Sequence, residues 1–208
     1  MKEVKNGFIV GLTLQLAIGP VFFFITNLVI QKSFLDGLAG VIGVTLGDYF
    51  YIALSVLGIG KLLETKKIKK IFSLISSIVL IVFGSIMING ILGNSLISND
   101  VSLIGTNLFT SFSSVFFLTL SSPLTIVLFT SLFTAKTIEL NYSRKELWRF
   151  GFGTGLATFI FMGSAVVLFS LIRGVIPVVV VKLLNLIVGL LLIVYGGMRL
   201  SKSLGKEK

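Results

Sequence analysis

A chain of 208 residues that is 55% hydrophobic and only 12% charged, with a mean hydropathy of +1.06, lies outside the range of soluble domains and within that of polytopic membrane proteins. The formal charge of +10 would suit a nucleic-acid binder, but the basic residues are confined to short segments between apolar runs, which speaks for a lipid bilayer and against nucleic acid. Cys and His are both absent, which excludes disulfides, thiol redox chemistry, Cys/His metal sites and histidine acid/base catalysis, so a transported proton has only a carboxylate, a lysine or a tyrosine to ride on.

Apolar runs of about 20 residues or more, the length needed to cross a bilayer, lie near 7 to 31, 35 to 62, 70 to 92, 107 to 135, 148 to 173 and 175 to 200. The expected fold is therefore all-α, a single transmembrane domain over 1–208 with six membrane helices. The first run begins like a signal peptide, after Lys2 and Lys5. It continues past Ala17 and Gly19 to Ile30, which is the length of a span, so it is read as a retained helix. Near its middle stands Pro20, preceded by Gly19. The second run carries glycines at 40, 43 and 47 and then Asp48, the one carboxylate at the centre of an apolar run. The fourth run repeats the pattern of the first, with Pro123 preceded by Ser122. The fifth carries glycines at 151, 153 and 155, and the sixth carries Gly196 and Gly197. These glycines are expected to allow close helix packing or to act as hinges, Gly40, Gly43, Gly47, Gly151 and Gly155 above all. Pro177, just before a helix start, is ordinary first-turn proline.

An even number of spans puts both termini on one side. Of the 18 basic residues, all but Lys32, Arg173 and Lys182 then fall on that same face, a positive-inside bias that makes both termini cytoplasmic and the 93 to 106 loop external. Lys182 is expected to snorkel to the external surface.

The two halves resemble each other. Pro20 falls on Pro123 at an offset of 103, Gly43 and Gly47 fall on Gly151 and Gly155 at 108, and Ile81-Val-Phe-Gly84 falls on Ile193-Val-Tyr-Gly196 at 112. The drift follows from the longer 136 to 149 loop. Units of three spans, about 1–93 and 105–203, must lie in opposite orientations, which is the inverted-repeat plan of secondary transporters with sites near the midplane.

Pro20, Asp48 and Pro123 all lie close to span centres. A proline in a helix interior costs roughly 3 kcal/mol, and an ionisable group at mid-membrane roughly 2.5 to 3.5 kcal/mol. A helix break before each proline exposes backbone N–H groups at the start of the next half-helix, where the dipole favours a carboxylate. Asp48 offers a counter-charge for an ammonium group, a protonatable site for gradient coupling, or a structural partner for Tyr49, Tyr51, a threonine or Lys182. A bend for packing, with Thr119, Ser121 or Ser122 capping freed carbonyls, is the competing account of the prolines. Gln15, Asn27, Asn89, Asn185, Thr154 and Thr158 are polar groups expected to be satisfied by neighbours within the bundle.

These elements resemble the lysine-exporter (LysE-type) translocator superfamily. The residues that carry the likeness are Ile18-Gly19-Pro20 in the first span, Gly40-Val-Ile-Gly43-Val-Thr-Leu-Gly47-Asp48-Tyr49 and Leu57-Gly58 in the second, and Leu120-Ser121-Ser122-Pro123-Leu124-Thr125 in the fourth. Ile18 replaces the first proline of the superfamily's Pro-Gly-Pro, and Ser122 replaces its frequent Asn. The resemblance implies a secondary transporter, an antiporter of the cytoplasmic membrane, exporting an amino acid or related metabolite on a proton or ion gradient. It implies no enzyme activity, no cofactor and no resident metal. Substrate binding or coupling is assigned to Gly19, Pro20, Asp48, Ser122 and Pro123. A homo-oligomer is compatible with this reading. The alternatives are a divalent metal-ion exporter of the same superfamily, which would want more inward carboxylates than Asp48 alone, and a non-transporting membrane subunit.

Overall fold

The computed structural model describes residues 1–16, 19–58, 66–92, 107–175 and 177–204. Ile18 and the predicted external loop of 93 to 106 lie outside the described residues, as do Lys61, Lys206 and Lys208. The described chain folds into eight helices: α1 (Lys2–Gln15), α2 (Pro20–Gln31), α3 (Phe34–Val56), α4 (Lys66–Leu92), α5 (Leu108–Leu120), α6 (Pro123–Leu140), α7 (Arg144–Ile172) and α8 (Val178–Leu204).

The helix ends follow from local chemistry. Ser33 caps α3, its hydroxyl oxygen accepting from the Asp36 N–H at 3.0 Å. Ser143 and Glu146 form a reciprocal capping box at the start of α7. The α3 helix stops at Gly58, whose φ of +77° is a conformation that a side chain would oppose.

Both prolines open helices; neither interrupts one. Pro20 is the first residue of α2 and Pro123 the first of α6, and the paired segments meet at 81° for α1 and α2 and at 63° for Leu108–Leu120 and Thr125–Leu140. The interior-proline penalty does not apply here, because the N–H that proline lacks has no intrahelical acceptor in the first turn. Among the described residues, α3, α7 and Asn185–Ser203 of α8 are each long and apolar enough to cross a bilayer, and the two bent pairs qualify when each is taken as one span. The apolar stretch of α4, Ser73–Asn89, is shorter.

The helices pack through small residues, as membrane bundles do. On α1, Gly7 and Gly11 lie against Phe150, Thr154 and Ala157 of α7, while Gly153 of α7 lies against the Val4 carbonyl. On α3, Gly40, Gly43 and Gly47 lie against Val115, Phe112 and Thr119 of α5. Gly151 and Gly155 of α7 receive Ile52 and the Tyr49 ring of α3. The α4 and α8 helices run antiparallel, with Gly84 against Gly189 and Gly196 against Ser77. Gly197 departs from the expectation of close packing, because nothing lies near its missing side chain. The α2 helix is nested among α3, α5, α7 and α8, with Phe24, Ile25 and Val29 buried. Large apolar side chains such as Ile78, Val82, Phe159, Leu168 and Leu190 face outward, the distribution of a lipid-solvated protein.

Candidate functional site

The two helix breaks meet at a cavity of about 580 Å³. Gly19 and Pro20 from the first break, Ser121 and Ser122 from the second, and Asp48 from the middle of α3 all line it. Four of the five residues expected to bind substrate or couple transport are therefore brought together, and Pro123 follows directly in the chain as the first residue of α6. From the breaks the cavity extends along α6, past Thr125 and Phe129, and along α8, past Leu191 and Tyr195 to Arg199. These are the directions in which both helices run toward their basic ends, at Lys136 and Lys202.

Neither half-helix start is capped by a side chain. Gly19 has none to offer, and at the other break the Ser121 hydroxyl instead folds back onto the Phe117 carbonyl at 2.7 Å, as the Thr119 hydroxyl does onto Val115 at 2.8 Å. The Leu120 carbonyl, left over at the end of α5, is taken by the hydroxyl of Tyr51 from α3. The Leu120 carbonyl is thus satisfied within the protein, while the starts of α2 and α6 have no side-chain cap.

Asp48 is buried, with 6% of its surface exposed. Its Oδ2 accepts from the Thr158 hydroxyl of α7 at 2.7 Å, and the Thr158 oxygen in turn accepts from Nε2 of Gln15 at 2.7 Å. One relay of hydrogen bonds joins the end of α1, the middle of α7 and the carboxylate of α3. The tyrosines beside Asp48 are engaged elsewhere, Tyr49 donating to the Phe152 carbonyl at 3.1 Å and Tyr51 to Leu120. Lys182 is exposed, and no ion pair joins it to Asp48.

Sequence reasoning passed over three residues of this site. Thr158 and Gln15 look like generic interior polar groups until the helices are packed, although the 108-residue repeat offset carries Asp48 onto Leu156, two positions from Thr158. Arg199 reads as one more positive-inside charge. In the structure Arg199 lines the cavity, its guanidinium donating from Nη1 to the Ser76 hydroxyl at 2.8 Å and lying 4.8 Å from the centroid of the Tyr195 ring.

Broken apolar helices enclosing a buried carboxylate define a polytopic helical membrane protein of the translocator kind. The LysE type translocator family model matches residues 12–203, nearly the whole chain, and the protein belongs to that family. It is a multi-pass membrane translocator of amino acids or similar small substrates. No curated protein and no solved structure matches the chain.

Proposed function

We propose that the protein exports an amino acid across the cytoplasmic membrane by alternating access, driven by a proton or ion gradient. The observation that carries this reading is the convergence of Gly19, Pro20, Ser122 and Asp48 on one cavity. The uncapped starts of α2 and α6 attract the substrate carboxylate, and Asp48 receives the ammonium group or the coupling proton. Thr158 and Gln15 hold that carboxylate in place.

The proposed architecture has six spans, α1 with α2, α3, α4, α5 with α6, α7 and α8, arranged as two inverted repeats with both termini cytoplasmic. Its support lies in the helix contacts. The packing of α1 on α7 has its counterpart in that of α5 on α3. Shifted by the 112-residue offset, the contact of Ser77 with Gly196 becomes a contact of Gly189 with Gly84, which is the other close approach between α4 and α8. A pair that maps onto itself in an antiparallel arrangement is what a two-fold axis in the membrane plane requires. The cavity reaches toward the basic, cytoplasmic side, as an exporter waiting for substrate requires.

The test is export of labelled amino acids, with divalent metal ions as the comparison, from cells carrying the wild-type chain, the Asp48→Asn variant or neither. Amino-acid efflux present only with the wild type is the expected result. Efflux of metal ions alone, or full efflux by Asp48→Asn, overturns the proposal.

A further inference from the structure

Arg199 and Asp48 carry opposite charges into the same cavity and do not pair with each other. Asp48 is engaged by Thr158, and the Arg199 guanidinium is held on the α4 and α8 side by Ser76 and by stacking on Tyr195. A guanidinium has five N–H donors in one plane. The Ser76 bond and a long 3.5 Å contact to the Tyr195 hydroxyl occupy two of its nitrogens, and no described carboxylate forms an ion pair with it. An arginine in this condition matches a carboxylate bidentately. The lining carries Leu14, Val21, Phe22, Val44, Leu80 and Met162 beside the polar Gln15, Thr119, Ser122 and Thr125. Among the described lining residues Asp48 is the one carboxylate. The ammonium group of a basic side chain, entering beside an already engaged α-ammonium, would lose its hydration against hydrocarbon without a second counter-charge.

We infer that the cavity selects neutral amino acids with apolar side chains, Arg199 joining the two helix starts in holding the substrate carboxylate while Asp48 holds the ammonium group. This rests on the amino-acid exporter reading and adds the substrate class and a specificity-determining residue. Lysine and arginine are disfavoured because Asp48 is the one carboxylate among the described lining residues, and a simple amine is disfavoured because it makes no use of Arg199.

The experiment is calorimetric titration of the full-length protein in lipid nanodiscs with four probes: L-leucine, L-lysine, 3-methylbutylamine, which is leucine without its carboxylate, and 4-methylpentanoate, which is leucine without its ammonium group. Leucine should bind at least about tenfold more tightly than each of the others. Arg199→Gln should weaken leucine roughly ten- to a hundredfold and leave 3-methylbutylamine unchanged. Arg199→Lys, which keeps the charge without the planar fork, should fall between. Ser76→Ala, which loosens the guanidinium without removing it, guards against misfolding of the Gln variant and should weaken leucine severalfold while sparing 3-methylbutylamine. Lysine binding as tightly as leucine overturns the selection rule. Equal losses for leucine and 3-methylbutylamine in the Arg199 variants, or no loss for either, overturn the role of Arg199. The wild type is also titrated with the other eighteen standard amino acids, and if it binds none of the twenty, the exporter reading itself has failed.

Discussion

The hydroxyl of Thr158 donates a 2.7 Å hydrogen bond to Asp48, 110 residues earlier in the chain, so the central carboxylate of the first half is held by a side chain of the second. The bond ties the charge to the packing of α3 on α7, and its removal should be felt in both transport and stability. Asp48→Asn keeps the shape and hydrogen bonding of the side chain while removing the titratable charge, and should abolish gradient-driven efflux while the protein still accumulates in the membrane. Thr158→Val should lower stability by about 1 to 3 kcal/mol, since it strands a buried carboxylate oxygen and a glutamine donor. Unfolding midpoints of Thr158→Val, of Asp48→Ala, which removes the acceptor, and of their double variant supply the check, beside the efflux rates of Asp48→Asn. Coupling of less than about 0.5 kcal/mol between the two sites would deny the contact.

The paired prolines separate a substrate site from simple bending. Each occupies the first turn of its helix, so Pro20→Ala and Pro123→Ala restore no missing helix bond and should change stability by less than about 1 kcal/mol. Affinity for the exported amino acid should nevertheless fall in both, because alanine no longer fixes φ at the helix start and the amide donors lose their preset direction. Losses in the double variant should be non-additive, by roughly 0.5 to 3 kcal/mol, because the two starts share one ligand. Binding isotherms of the three variants decide it, and additive losses speak for independent bends.

The glycines divide sharply in what they tolerate. A Cβ on Gly153 would stand 2.1 Å from the Val4 carbonyl oxygen and one on Gly7 would stand 1.9 Å from that of Phe150, backbone atoms that cannot turn aside. Gly7→Ala and Gly153→Ala should therefore separate α1 from α7 and cost more than about 2 kcal/mol. Gly197→Ala meets open space and should be neutral or stabilising by up to about 1 kcal/mol. Melting temperatures in one detergent rank the three.

Topology is open to direct labelling. A reporter fused after Lys208 should be cytoplasmic, and a tag inserted in 94 to 100 should be reached by an impermeant reagent from outside. An external C-terminus would remove one span and the inverted repeat with it.

The pattern of breaks was legible because Pro20 and Pro123 leave few alternatives in an apolar run. Asp48 was legible because a lone charge in such a run has a cost that demands an account. Hydropathy located the apolar runs, which the structure divides into eight helices among the described residues, three of them long and apolar enough to cross a bilayer and up to five when each bent pair is taken as one span. It was silent on Gly7 and Gly11, which carry the contact with α7, because single glycines in a membrane helix are too common to mark a face. It was equally silent on Arg199. A cation near the end of a span serves orientation by default, and only the packing of α4 beside α8 turns this one inward. The meaning of these residues lies in which helices meet, and that depends on contacts across the two halves that no local pattern encodes.

The interlocking of α1 with α7 also bears on how the protein is made. The groove that receives Gln15 is completed by Thr158, 143 residues later, and at about 5 to 20 residues per second the ribosome needs roughly 7 to 30 s to supply it. For that interval the newly inserted α1 carries its Gly7 and Gly11 face without its mate, so productive assembly depends on lipid or the insertion machinery shielding that face until α7 arrives. Slower translation between the two helices should then lengthen the exposure and raise the share of nascent chains that quality-control proteases remove.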